Sequence, residues 1–146
     1  MDLFSRKIVG CAMASSMPAE LVCSALQMAI AHRQPTAGLI VHSDRGCQYA
    51  SAAYREQLRQ QGIRVSMSRK GNCWDNAPME RFFGSLKSER TDDRIYYTRE
   101  QAKADVIDYI EMFYNSQRLH STLGYVSPMQ FEKQNQFSLA KVSIFI

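Results

Sequence analysis

Two acidic side chains, Asp44 and Glu80, are the first candidates for functional residues. Asp44 follows the short apolar run Leu39-Ile40-Val41, which is typical of a buried strand. The carboxyl ends of such strands are where open α/β sheets collect their functional groups. Glu80 lies in the first turns of a helix predicted from about Asn76, and 35 residues separate it from Asp44. The occurrence of the two carboxylates together is a stronger functional signal than either one alone.

Each carboxylate also has an ordinary structural explanation. Asp44 precedes Gly46 and would suit the first position of a turn. Glu80 would be stabilised by the dipole of the helix at whose start it lies. The functional interpretation therefore rests on the two together, within the segments HSDRGCQYAS and WDNAPMERFFGSLKSE.

The sequence resembles insertion-sequence transposases with a D,D-35-E catalytic core, which share their catalytic domain with retroviral integrases. The resemblance runs from residue 2 to about residue 133. It is carried by DLFSRKIVG, HSDRGCQYAS, SMSRKGNCWDNAPMERFFGSLKSE and YNSQRLHSTLGYVSP, in that order. It implies an α/β fold of the ribonuclease H-like integrase core, a mixed sheet with flanking helices. It also implies DNA transposition, with phosphodiester cleavage and strand transfer at transposon ends.

The resemblance further implies that Mg²⁺ or Mn²⁺ ions are held by three carboxylates, of which Asp44 and Glu80 would be two. Displacement at phosphorus requires both the attacking and the leaving oxygen to be stabilised, and two cations about 3.5–4 Å apart do this. Gly84 and Lys87 should share the helix face of Glu80, because residues four and seven positions apart lie on one side. Glycine there admits a close approach of DNA, and the lysine can reach a phosphate.

Three cations are candidate DNA contacts: Lys87, and Arg69 and Lys70 in the loop that contains Gly71. Contacts to phosphates position DNA without reading its sequence. Each of these side chains could equally be a solvated surface residue. For His120, in RLHSTLGY, we expect a structural or DNA-facing role, since two-metal chemistry does not require a histidine base.

One carboxylate of the family pattern is expected to be missing. In the family, the first aspartate lies on a central strand that precedes the segment matching MDLFSRKIVG, and Asp2 would belong to the second strand. We therefore expect an N-terminally truncated, inactive core without its first strand, leaving the neighbouring strand edges unpaired. The alternative is a non-catalytic fragment that binds DNA or dimerises. A nuclease acting on RNA–DNA hybrids would share the metal chemistry but leaves YNSQRLHSTLGYVSP unexplained.

The predicted elements alternate between strands and helices, as an α/β fold requires. Ser51 is a candidate N-cap, Gly62 a helix terminator, and Thr98-x-x-Gln101 a capping box. The predicted strands are two short ones around the Ser5-Arg6-Lys7 turn, then residues 39–41 and 63–67. The predicted helices are residues 18–32, 51–61, 76–88 and 98–115.

Composition fits one compact domain with a polyanionic partner. Of the 146 residues 45% are hydrophobic, and 18 Lys and Arg against 14 Asp and Glu give a net charge of +4. We assign residues 1–133 to the catalytic core and 134–146 to a tail. Four cysteines without metal-ligand spacing indicate reduced thiols and a cytoplasmic protein, and no apolar stretch is long enough to cross a membrane. The resemblance implies DNA as partner and a homo-oligomer or association with a full-length transposase.

Overall fold

The computed structural model describes residues 1–69, 73–135 and 144–145. Within them, three parallel strands form a sheet in the order β2-β1-β3, where β1 is Ile40–Ser43, β2 is Arg64–Met67 and β3 is Ile144–Phe145. The strand β1 pairs with β2 over its whole length, from Ile40 opposite Arg64 to Ser43 opposite Met67. Its other edge, expected to be unpaired, is covered by β3 at Val41 and His42.

The helices lie close to their predicted positions, and their ends follow local sequence signals. The Ser51 side chain accepts a hydrogen bond from Tyr54 N–H, Gly62 takes a positive φ of 63°, and Thr98 accepts from Gln101 N–H. These contacts cap helices as expected. The α-helices are α1 (Ala19–Arg33), α2 (Ala52–Gln60), α3 (Ala77–Leu86), α4 (Arg99–Asp108) and α5 (Pro128–Gln134).

Two helices continue as wider π-helical turns. Lys87–Thr91 extends α3, and Tyr109–Tyr114 extends α4. Short 3₁₀ turns occur at Cys73–Asn76, just before α3, and at Ser121–Leu123. The predicted long helix over residues 98–115 is therefore present, although its second part has a different hydrogen-bonding pattern.

The opening residues form a turn but not the predicted pair of strands. Asp2 N–H donates to Lys7 O at 2.8 Å, and residues 3–13 contain no strand. Even so, consecutive side chains of this segment face opposite layers, as they do in an extended strand. Ile8 is buried in one hydrophobic cluster and Val9 in the other.

The two clusters lie on either side of this N-terminal segment. The first unites α1, β1 and α2 around Leu26, Val41 and Leu58. The second unites α3 with the end of the α4 helix and includes Phe82 and Tyr109. The N-terminal segment thus lies between the sheet layer and the helix that carries Glu80, and it contributes side chains to both clusters.

A buried polar group joins the N-terminal turn to α1 and α5. Arg33 forms ion pairs with Asp2, at 3.0 Å, and with Glu132, and Lys7 reaches Glu132 at 3.3 Å. Ser5 Oγ donates to Glu132 at 2.7 Å. The helix α5 that supplies Glu132 is absent from our predictions, although Ser127-Pro128-x-Gln130 forms a complete capping box and is a recognisable start signal.

None of the described helices combines the length and the apolar character of a membrane span. The described cysteine side chains, Cys11, Cys23 and Cys47, are free thiols.

Candidate active site

Asp44 begins the turn that follows β1 and is exposed to solvent. Its Oδ1 accepts a hydrogen bond from Gly46 N–H at 2.7 Å. A Cβ at Gly46 would lie 2.8 Å from Gln48 Oε1 and 3.0 Å from Asp44 Oδ1. A larger residue at this position would push these two side chains away from the turn. The turn explanation for Asp44 holds, and it leaves the carboxylate in solvent at the carboxyl end of the strand.

Glu80 lies in the first turn of α3 and is exposed. Phe82 and Leu86 bury the opposite side of this helix in the second cluster. Glu80 forms no hydrogen bond or ion pair with any described residue. Gly84, one turn further along, faces open space, since an added Cβ would meet nothing within 4 Å. The chain itself therefore does not require glycine at this position.

The predicted cations have different surroundings. Lys87 is exposed at the point where α3 passes into the π-helical turn. Arg69 is also exposed, but its guanidinium binds Asp75, with its Nε 3.3 Å from Asp75 Oδ2. Hydrogen bonds from Arg69 lower the pKa of the Asp75 carboxyl. Lys70 lies outside the described residues.

The Arg69–Asp75 contact joins the loop after β2 to the turn before α3. Arg69 N–H also donates to Asp75 Oδ2 at 3.0 Å. These bonds hold the start of the helix with Glu80 at the carboxyl edge of the sheet, the edge that ends in Asp44. The structure thus puts both predicted carboxylates on exposed positions, one after β1 and one in the first turn of α3.

Hydrogen bonds between hydroxyl and imidazole groups join the two strands at this edge of the sheet, a feature absent from our predictions. His42 Nδ1 lies 2.9 Å from Ser66 Oγ, and its Nε2 lies 3.1 Å from Ser68 Oγ. Ser68 Oγ also contacts Ser43 O at 3.3 Å, and Arg45 Nε donates to Ser68 O at 2.9 Å. The signal was available in the alternation of Ser66 and Ser68, since residues two apart in a strand share a face.

A second feature absent from our predictions is a cleft of about 190 Å³ beside α3. We call it the arginine cleft. Its polar lining comes from Arg6 of the N-terminal turn, Arg81 and Ser85 of α3, and Arg118, His120 and Thr122 of the segment after α4, and the rest of its wall is formed by Met1, Ala77, Pro78, Phe82 and Tyr114. Its cations come from three distant parts of the sequence, so no single motif could have revealed it.

His120 has the structural role that we expected and also faces this cleft. Its ring packs edge-on against Tyr114, with centroids 5.0 Å apart, and its backbone bridges to Val126. Burial, then the charges of Arg118 and Arg6, lower the pKa of His120 from 6.5 to about 4. The imidazole is therefore neutral at physiological pH, and its Nε2 is buried without a hydrogen-bond partner.

The exposed oxygens of Asp44 and Glu80 suit a divalent cation, but the described residues do not provide a full set of ligands. No group of three or more His, Cys, Asp or Glu side chains in the described part of the chain could hold a metal ion. Asp2 is buried and occupied: it accepts from Phe4 N–H at 2.9 Å and pairs with Arg33. It belongs to the polar group under the turn.

Comparison with known proteins gives the same family over most of the chain. Integrase core domain families match residues 1–73 and residues 80–136. The transposase for insertion sequence element IS904 of Lactococcus lactis is 49% identical over 135 residues, which are 92% of this chain and 53% of that protein. Transposase InsF for insertion sequence IS3A of Escherichia coli is 48% identical, over 92% of this chain and 47% of its own length. The chain spans about half the length of these relatives.

A solved structure supports the same fold. A chain of the simian T-cell lymphotropic virus intasome superposes with a TM-score of 0.62 at 18% identity, covering 81% of this chain and 41% of that one. Likeness at this identity concerns the fold alone, and it confirms the ribonuclease H-like α/β prediction. Together, these matches establish that the chain belongs to the integrase core domain family, among the insertion-sequence transposases.

Proposed function

We propose that this chain acts in DNA transposition, with Asp44 and Glu80 as metal ligands of an integrase core. The observation that supports the proposal is the exposure of both carboxylates, Asp44 directly after β1 at the carboxyl end of the strand and Glu80 in the first turn of α3. The transposase names of the relatives support the substrate class, DNA.

The residues fit the part of a metal site that they would form. A bound Mg²⁺ or Mn²⁺ would polarise the phosphoryl group and stabilise the oxygens that attack and leave phosphorus. On this proposal the oxygen ligands would be Asp44, whose Oδ1 accepts a hydrogen bond from Gly46 N–H, and Glu80, whose backbone lies in the first turn of α3. The elements that carry the two residues are held in place by the packing of other side chains, so the carboxylates remain available to a ligand.

DNA would approach along the exposed face of α3. Gly84 leaves open space one turn after Glu80, and Lys87 follows on the same side. A phosphate could therefore contact the helix backbone at Gly84 and pair with Lys87. Arg69 would contact the DNA backbone further along the same edge by exchanging Asp75 for a phosphate oxygen.

On this proposal Asp44 and Glu80 are two of the three carboxylates that such a site needs, and the described residues contain no cluster of three His, Cys, Asp or Glu side chains that could hold a metal ion. Asp2 does not substitute for the third, because its carboxylate is engaged with Arg33 and the turn. We therefore propose that the 146-residue chain binds divalent metal weakly and does not cleave DNA. Magnesium gives up its waters reluctantly, so two ligands hold it poorly.

The alternative, a non-catalytic fragment that binds DNA, is favoured by one observation. The arginine cleft has more cationic than anionic groups and does not depend on the carboxylate pair. Such a fragment would bind DNA with strong salt dependence, and metal would not change the binding. Dimerisation is the other form of this alternative.

Calorimetric titration with Mn²⁺ and Mg²⁺ tests the metal site. Glu80→Gln is compared with Glu100→Gln, because both glutamates are exposed in the first turn of a helix. We expect millimolar binding that Glu80→Gln abolishes and Glu100→Gln retains. Equal binding by all three proteins would contradict the assignment of Glu80.

Nicking of supercoiled DNA in Mn²⁺ tests activity separately. We expect no cleavage above that of an Asp44→Asn, Glu80→Gln double variant. Cleavage that requires both residues would overturn the inactive proposal while supporting the metal ligands. Salt-sensitive DNA binding that neither metal nor the double substitution alters would favour the non-catalytic alternative.

A further inference from the structure

We infer that the arginine cleft is an oxyanion site that takes one phosphate group of the DNA backbone. The inference rests on the proposed function for the identity of the ligand, and on the geometry of the cleft for its chemistry. The cleft is separate from the carboxylate pair, although Arg81 directly follows Glu80 on α3.

The cleft gathers hydrogen-bond donors from three segments around one cavity. Arg6, Arg81 and Arg118 line it together with the hydroxyl residues Ser85 and Thr122, and apolar side chains form the rest of its wall. Guanidinium forks match the geometry of phosphate oxygens and bind them in pairs. A cavity of about 190 Å³ has room for such a group.

The charge of the cleft is not balanced within the described chain. Arg118 is engaged: its Nε lies 2.8 Å from Glu89 Oε2, and its NH2 donates to Ser85 Oγ at 3.1 Å. Arg6 and Arg81 form no hydrogen bond or ion pair with the described residues. One carboxylate thus faces three cations, and an anionic ligand would neutralise the excess.

The backbone at Arg6 supports a role for its side chain. Arg6 has φ of 62°, in the left-handed region that a residue with a Cβ seldom adopts. This conformation costs on the order of 1 kcal/mol in a residue other than glycine. An arginine retained there lines the cleft, whereas glycine would relieve the strain and remove the cation.

His120 adds a ring nitrogen without a partner, which is a donor when the neutral ring carries its proton on Nε2. Its Nε2 is buried and makes no hydrogen bond with the described residues. The lowered pKa keeps the ring neutral, and Arg6, Arg118 and Glu89 are the charged groups that act on it. An oxyanion in the cleft would accept from this nitrogen and offset both arginine charges, so ligand binding should raise the pKa of His120.

A DNA phosphate fits this position better than an isolated anion because of the neighbouring helix face. Glu80 and Arg81 are consecutive on α3, and consecutive helical residues point about 100° apart. A DNA strand whose scissile phosphate lay at Glu80 would bring a nearby phosphate past Arg81. The cleft would then hold the strand in register beside the carboxylates.

Nuclear magnetic resonance of the histidine side chains tests the site, with inorganic phosphate as the probe. The proteins are the 146-residue chain, Arg81→Gln, and Arg55→Gln as the matched control. Arg55 is exposed on α2 and makes no hydrogen bond or ion pair with the described residues. All three should have the same far-ultraviolet circular dichroism and thermal midpoint, because both arginines are exposed.

We expect phosphate to shift the His120 signals and raise its pKa in the parent chain and in Arg55→Gln. Arg81→Gln should bind phosphate about tenfold more weakly, as the loss of one charge-assisted hydrogen bond implies. His120 signals that do not respond to phosphate would overturn the inference. So would equal phosphate affinity in Arg81→Gln and the parent.

A duplex oligonucleotide, titrated in the same way, tests the source of the phosphate. We expect it to shift the same His120 signals, compete with inorganic phosphate, and lose about one unit of salt slope in Arg81→Gln. DNA binding without a His120 response would leave the proposed function standing and overturn the DNA role of the cleft. A phosphate response without DNA binding would identify a site for free phosphate, and would overturn both the DNA ligand and the proposed DNA contact.

Discussion

The side chain of Asn115 pairs with both backbone polar groups of Ile8. Its Oδ1 accepts from Ile8 N–H at 2.9 Å, and its Nδ2 donates to Ile8 O at 3.0 Å. The Asn115 amide is completely buried and takes the place of a neighbouring strand at this residue. Because Ile8 and Val9 face different clusters, this one amide fixes which side chain enters which core.

Replacing Asn115 with alanine should destabilise the protein by about 2–4 kcal/mol, because two buried backbone groups of Ile8 lose their partners. Asn115→Asp should be at least as harmful, since it removes the donor and buries a charge. Urea denaturation measures the free energy of unfolding. A loss below about 0.5 kcal/mol for both variants would mean that Ile8 finds other partners.

Substitution by alanine should change the stability of the protein in opposite directions at Gly10 and Gly84. At Gly10 a Cβ would overlap Ala25 O and lie 3.0 Å from Ala29 N, both in the backbone of α1. We expect Gly10→Ala to cost about 1–3 kcal/mol, because a helix backbone yields little. Gly84→Ala meets nothing within 4 Å and should stabilise the helix by up to about 1 kcal/mol. Thermal denaturation measures the change in midpoint of each variant. A change in the same direction for both would contradict this prediction.

Gly84→Ala also tests the proposed approach of DNA. If a strand contacts the helix backbone at Gly84, the added methyl group should weaken DNA binding although it stabilises the fold. Fluorescence anisotropy with a labelled duplex measures the affinity. A more stable variant that binds DNA as well as the parent would place the DNA away from this face.

Arg33 should contribute far more to stability than Arg59, although both form ion pairs. The Arg33 side chain is 17% exposed and holds Asp2 and Glu132, whereas the Arg59 side chain is 74% exposed and pairs with Glu56. Removing the cation from two buried carboxylates costs about 3–5 kcal/mol, while an exposed pair contributes about 0–1 kcal/mol. We therefore expect Arg33→Ala to unfold at much lower urea concentration than Arg59→Ala. Similar midpoints would show that water solvates the carboxylates.

Local signals in the sequence were sufficient for most elements but not for the N-terminal segment. Ser51, Gly62 and Thr98 act within a few residues of themselves, so the helix ends that they set were predictable. The predicted hairpin at the N-terminus was wrong, because its polar groups are satisfied from residues more than 100 positions away. Asn115 bonds Ile8, and Glu132 bonds Ser5.

The carboxylates and the arginine cleft also differ in how far they could be predicted from the sequence. Asp44 and Glu80 were identified from the sequence because each lies at the end or the start of a regular element. The arginine cleft was not, since Arg6, Arg81 and Arg118 become neighbours only after the N-terminal segment packs against α3. Whether the carboxylates bind metal stays a prediction.

His120 should make the stability of the protein depend on pH in a defined window. Its pKa falls from 6.5 to about 4 on folding, through burial and the charges of Arg118 and Arg6. The unfolded chain therefore takes up a proton below about pH 6.5, and the folded chain does so only near pH 4. The stabilisation is complete above pH 6.5 and is lost as the pH falls towards 4.

The loss should be on the order of 1–2 kcal/mol, since solvent at the partly exposed ring screens part of the full shift. The measurement is urea denaturation at pH 7.5 and pH 5.0 for the parent chain and for His120→Gln. Other titrating groups contribute equally to both proteins, so the parent should lose more stability than the variant over this interval. An equal loss in both would mean that the folded protein protonates His120 as readily as the unfolded chain does.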